Sequence, residues 1–83
     1  MILQATDAFR RGLAPVERQA VMRVLPGFVV VGSHVLPHPL DALDEGYRYL
    51  VDLYHGGTKV GHGEGFAPML AIAAALESRE SVA

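Results

Sequence analysis

The sequence predicts an α+β domain: two N-terminal helices, a three-stranded, mainly antiparallel sheet, and a C-terminal apolar helix packed on that sheet. Three observations carry this prediction. Residues 47–55 alternate, with Tyr47, Tyr49, Val51, Leu53 and His55 on one face and Arg48, Leu50, Asp52 and Tyr54 on the other, the two-residue period of a strand. Gly56-Gly57 follows and can take the positive φ that a two-residue hairpin turn requires. Residues 67–79 then read as a helix whose middle, MLAIAAAL, has no polar face, so it must be covered more than half way round.

Taken in order, residues 1–13 read as the first helix, with Ala5, Phe9 and Leu13 at four-residue spacing and Asp7 near the positive end of the first turn. Gly12 weakens its end. The second helix is marked by Pro15 at its first position and by Glu17 in its first turn. Val16, Ala20 and Val24 line a stripe beside Val21 and Leu25, Arg18 and Arg23 fall away from it, and Pro26-Gly27 stops it. Phe28-Val29-Val30-Val31 is an uninterrupted β-branched run that reads as a strand, with Gly32 marking a bulge. Pro37 and Pro39 forbid further ladder pairing, which makes residues 38–46 a connector with one helical turn over residues 40–44. After the hairpin turn the return strand starts at Thr58-Lys59-Val60 and frays through Gly61, Gly63 and Gly65, where alternate glycines weaken pairing. Pro68 opens the last helix, and residues 80–83 are expected to be a frayed tail of this single domain, 1–83.

Composition narrows the class. The 83 residues are 51% hydrophobic and 19% charged and include no cysteine, so neither disulfides nor thiolate metal sites can brace a domain this small. Self-association is the remaining staple, and a homodimer is expected. The net charge is −2, with Arg10, Arg11, Arg18 and Arg23 in a mildly basic first third and an acidic remainder. No dense basic face follows from this, so nucleic acid is not an expected partner. The apolar stretch over residues 66–76 is too short for a bilayer of roughly 30 Å. Without a signal-peptide pattern, a soluble cytoplasmic chain is expected.

The candidate chemistry is sparse. Zinc needs three or four converging ligands; His55 and His62 could meet across the hairpin with Glu64 as a third donor, but no HExxH or paired CxxC pattern supports a site. Histidines without metal, and no cofactor, are expected. The Gly61-x-Gly63-x-Gly65 loop departs from dinucleotide spacing and carries Glu64 where an anion would sit. Ser33 and His34 point to opposite faces of an extended strand, and the carboxylates of Asp41, Asp44 and Glu45 belong to the connector. A non-enzymatic binding protein is therefore expected. Tyr54 and Arg48, opposite the core-facing tyrosines, are its partner-binding candidates, because tyrosine and arginine are enriched at interfaces. The acidic Asp41, Asp44 and Glu45 suit a basic partner surface.

The string Tyr47-Arg48-Tyr49-Leu50-Val51-Asp52-Leu53-Tyr54-His55-Gly56-Gly57, followed by Gly61-His62-Gly63 and by the Ala-rich helix from Ala67-Pro68, resembles small bacteriophage accessory proteins of the α–β sandwich type. The resemblance covers about the last 35 residues. It implies a small protein that binds a host protein, for example an inhibitor of a defence complex. The same unit resembles, less closely, the β–β–β–α core of HicB-type antitoxins, which implies a dimeric module that binds a toxin. The double-stranded-RNA-binding domain is disfavoured, since the start of the last helix has no lysine cluster.

Overall fold

The computed structural model describes residues 1–35 and 48–79, and cap, turn and alternation signals divide these into seven elements. They are β1 (Ile2–Ala5), α1 (Asp7–Arg11), α2 (Pro15–Val24), β2 (Phe28–Val35), β3 (Arg48–His55), β4 (Thr58–Gly65) and α3 (Pro68–Glu77). The fold is α+β, with a four-stranded mixed sheet in the order β1-β2-β3-β4. The expected connector, with Asp41, Asp44 and Glu45, lies outside the described residues, as do Tyr47 and residues 80–83.

The hairpin and last helix form where the alternation places them. Gly56 and Gly57 take φ of 59° and 81°, and β3 pairs antiparallel with both β2 and β4. The expectation for residues 1–13 is corrected: Ile2–Ala5 is a fourth strand, running parallel to β2 from Ile2 opposite Val29 to Ala5 opposite Gly32. Pairing with the edge of β2 satisfies backbone groups that a helix end would leave open. The helix begins only after Thr6, whose Oγ1 accepts the Phe9 N–H at 3.4 Å, the usual work of an N-cap residue. α1 and α2 thus form the crossover that two adjacent parallel strands require.

The α2 stripe is also corrected. Val21 and Leu25 are buried, whereas Val16 is 73% exposed and Val24 faces solvent. Val21 and Leu25 lie four apart, and the helix is rolled so that this line meets the core.

One hydrophobic core lies between the sheet and the three described helices: Phe9, Leu13, Val21 and Leu25 from the N-terminal half, Val30, Val51, Leu53 and Val60 from the strands, and Ala71, Ile72 and Ala75 from α3. Each fully buried large side chain here contributes about 1.5–3 kcal/mol. Phe9 meets Tyr49 edge-on, with ring centroids 5.9 Å apart. Gly32 marks no bulge; a Cβ there would stand 2.8 Å from the Phe9 ring, so its role is to admit that ring. The bulge falls on β4 instead, where Leu53 pairs with Gly61 and Tyr54 with Lys59, leaving Val60 as the extra residue.

The glycine-rich end of β4 does not fray. It pairs with β3 to Gly65, and α3 rests on it. A Cβ at Gly63 would lie 2.2 Å from the Ala75 nitrogen, and one at Gly61 2.7 Å from the Ala75 carbonyl oxygen. The missing side chains are the seat of the helix. The N-terminal helices sit beside α3 on the same side of the sheet, where Gly12 faces the Pro68 ring.

Both sheet edges carry a block. On β1, the Arg10 guanidinium donates to the carbonyls of Leu3 (3.0 Å) and Ala5 (3.2 Å). On β4, Ser78 Oγ accepts the His62 N–H at 3.1 Å and donates to the His62 carbonyl at 2.7 Å. Such coverage limits edge-to-edge pairing between molecules.

Gly63→Ala is expected to cost about 3 kcal/mol, at the top of the overpacking range, because backbone atoms of α3 must move. Gly57→Ala, which meets nothing within 4 Å but keeps a positive φ, should cost about 1 kcal/mol. Urea unfolding midpoints check the order. Arg10→Ala frees two edge carbonyls, and its expected signature is faster growth of light scattering on mild heating.

Candidate functional site

Strand alternation that sends Val30, Gly32, Val51, Leu53 and Gly63 into the core sends their neighbours to the other side of the sheet. That side carries Ile2 and Gln4 from β1, Val29, Val31, Ser33 and Val35 from β2, Arg48, Leu50, Asp52 and Tyr54 from β3, and Lys59, His62 and Glu64 from β4. No helix among the described residues packs on it. Ile2 is 59% and Val35 47% exposed, while Val29, Val31, Leu50 and Tyr54 are more than half covered. The middle strands therefore present a mixed surface, Val29, Val31, Val35, Leu50 and Tyr54 interrupted by Ser33, Asp52 and Arg48, and partly apolar surfaces with polar neighbours are found at interaction sites.

A charged margin closes one side of this surface. Asp52 Oδ1 lies 2.7 Å from His62 Nδ1 and 3.0 Å from Lys59 Nζ. A carboxylate can only accept, so Nδ1 carries the proton of that contact. His62 Nε2 stands 3.9 Å from Glu64 Oε2, and Glu64 Oε1 3.8 Å from Arg48 Nη1. The result is a ladder of alternating sign, Lys59–Asp52–His62–Glu64–Arg48. Partial burial pushes the Asp52 carboxyl up, but hydrogen bonds from His62 and Lys59 and their positive charge outweigh it and hold the group below its ordinary value.

The partner-binding candidates Tyr54 and Arg48 both fall on the open face, at opposite ends of β3. Asp41, Asp44 and Glu45 lie outside the described residues. The metal candidates do not converge. His55 belongs to the helix-side face and stacks on Phe28 with ring centroids 4.8 Å apart, whereas His62 and Glu64 project from the open face. Among the described residues, no group of three or more His, Asp or Glu is placed to hold a metal. His34 Nδ1 lies 2.9 Å from Thr6 Oγ1, and Ser33 is on the open face, so the two are not a catalytic pair.

Sequence reasoning missed the ladder. Its signal was present as Asp52, His62 and Glu64 at positions of one parity, but reading residues 61–65 as frayed removed the register that joins them. A cleft of about 380 Å³ between β1 and α2 was also unforeseen. Leu3, Leu13, Pro15 and Met22 line it, with Arg10 and Arg18 at its rim. Ligand sites pair an apolar floor with convergent polar groups, and the Arg10 guanidinium is already engaged by the β1 carbonyls.

Among the described residues, no helix is long and apolar enough to cross a membrane. No protein-family model, curated protein or solved structure matches the chain.

Because the folded Asp52 carboxyl is held below its ordinary value, its contribution to stability is complete above about pH 4 and is lost as pH falls through the folded value. Asp52→Asn should lower the urea midpoint at pH 6, and the gap to the parent should narrow at about pH 3.

Proposed function

We propose that this chain is a non-catalytic protein-binding domain that docks a partner on the open face of its sheet. The observation that carries the reading is the partly apolar surface over β2 and β3, bordered by a charge ladder and bearing Tyr54 and Arg48. An apolar centre with a polar rim is the anatomy of protein interfaces. Tyrosine and arginine supply their anchoring contacts, since a ring or a planar guanidinium offers large contact area along with a hydrogen-bonding end.

The chemistry of the face agrees with docking rather than turnover. Its acid, base and hydroxyl groups are distributed along the sheet: the Asp52–His62 pair is on the β3–β4 side, and Ser33 lies on β2 opposite Leu50. Lys59 also bonds Asp52, and Glu64 stands 3.9 Å from His62 Nε2, which fits a solvated structural border. General acid–base work needs the proton donor within hydrogen-bond reach of a reacting group.

Placing a photoreactive p-benzoylphenylalanine at position 54 tests this in a bacterial lysate of the expressing cells. A discrete protein adduct is expected at position 54 and none at position 18 on α2; equal labelling at both positions, or none at 54, sinks the reading. Against the captured partner, Tyr54→Ala should weaken binding by about 2 kcal/mol, roughly 30-fold.

A further inference from the structure

We infer that the cleft between β1 and α2, on the helix side of the sheet, is a binding site for a small aliphatic carboxylate, with its chain on the apolar floor and its head at Arg10 and Arg18. The site is separate from the open face and does not depend on the docking role proposed there.

The cleft exists because two elements approach without closing. On α2, Pro15, Arg18, Gln19 and Met22 fall at i, i+3, i+4 and i+7 and form one line of the helix, distinct from the Val21 and Leu25 line that enters the core. Buried Leu13 and the half-buried Leu3 of β1 complete the walls. The enclosed space is about 380 Å³, at the small end of ligand sites, which run from about 300 to 1,000 Å³. Met22 is 47% exposed, and its unbranched thioether chain adapts readily to an irregular occupant. Val16 and Val24 stand on another line of α2 and do not border the cleft.

Charge selects the head group. Arg10 and Arg18 line the cleft and no acidic residue does, although the chain carries a net −2. The β4 margin differs, since each of its cations faces a carboxylate. Arg10 commits Nε–H to the Ala5 carbonyl and one Nη2–H to that of Leu3. Its guanidinium is thereby held in place, while the parallel donors on Nη1 and Nη2 remain for the two oxygens of a carboxylate. A cation anchored beforehand loses less freedom on binding. The Arg18 and Gln19 side chains are exposed and have no hydrogen-bond or ion-pair partner among the described residues. The walls select the tail: Leu3, Leu13, Pro15 and Met22 are aliphatic or thioether, and no aromatic ring lines the cleft on which a nucleobase would stack.

Titration of the isotope-labelled protein with sodium decanoate, followed by two-dimensional amide NMR, tests the inference. Saturable shifts are expected along β1 and α2 and not along β3, with Kd about 100 µM. Gln19→Glu, which sets a like charge beside the head, should weaken binding about tenfold, and Arg18→Gln about fivefold. Arg23→Gln removes a charge from the same helix outside the cleft and should leave Kd unchanged. Decanol, which lacks the charge, should bind about tenfold more weakly, and acetate, which lacks the chain, should shift none of these amides at about 1 mM. The parent titration needs no variant to fold: no saturable shift by about 5 mM decanoate overturns the inference. Decanol binding as tightly as decanoate, or an unchanged Kd in Gln19→Glu, also overturns it. Co-sedimentation with phosphatidylglycerol vesicles without any decanoate shift assigns the arginines to a membrane surface and has the same consequence.

Discussion

Helix α3 reaches the sheet at backbone distance because Gly61, Gly63 and Gly65 turn no Cβ towards it, and Ala71 and Ala75 answer with the smallest side chains that a helix favours. This seam governs the rest of the fold. With the helix pressed onto β4, Ile72 drops into the core beside Val51 and Leu53, and Pro68 comes against Gly12 to bring α1 alongside. The β1–β2 half of the same face is then closed by Phe9, Val21 and Leu25 from the crossover helices. The three described helices are all committed to one side.

How much of this was legible depended on the range of the interaction involved. The hairpin and α3 rest on signals within a few residues, namely the alternation of residues 48–55, the Gly56-Gly57 turn and Pro68 at a helix start, and each formed as read. β1 was not legible as a strand, because four residues with Ala5 in phase with Phe9 and Leu13 also satisfy a helical period. Only the parallel pairing with Val29–Gly32, more than twenty residues away, decides against the helix. The Gly61–Gly65 run was misread for a related reason. Alternate glycines weaken an isolated strand, and the gain that outweighs this comes from a helix later in the chain. Tyr54 and Arg48 were readable as open-face residues on parity alone, Arg48 exposed and Tyr54 half-buried, whereas the ladder joining Asp52, His62 and Glu64 needed the cross-strand register that the bulge at Val60 sets.

β4 shows how one local pattern serves both sides of the sheet. In Gly61-His62-Gly63-Glu64-Gly65, the odd positions are bare for α3 and the even ones carry the charge that borders the open face. Because the strand period is two, neither set can shift to the other side without the whole strand changing register. Such a slip would drive His62 and Glu64 into the helix seam, where a charged group without its partners is costly. The seam thus fixes the position of the charged margin as firmly as it fixes the helix.

The apolar middle lies where it does for a similar reason. β2 and β3 are the interior strands, so their β-branched and aromatic residues support one another across the ladder, Val29 beside Tyr54, although Val31 stands opposite Asp52. Their outward side chains stabilise the sheet even in contact with water, but they leave a surface that gains further on being covered. Charges on β4 and the Arg10 and Ser78 contacts obstruct pairing at the sheet edges, while Asp52 sets a charge within the open face itself, between Leu50 and Tyr54, where Lys59 and His62 hold it.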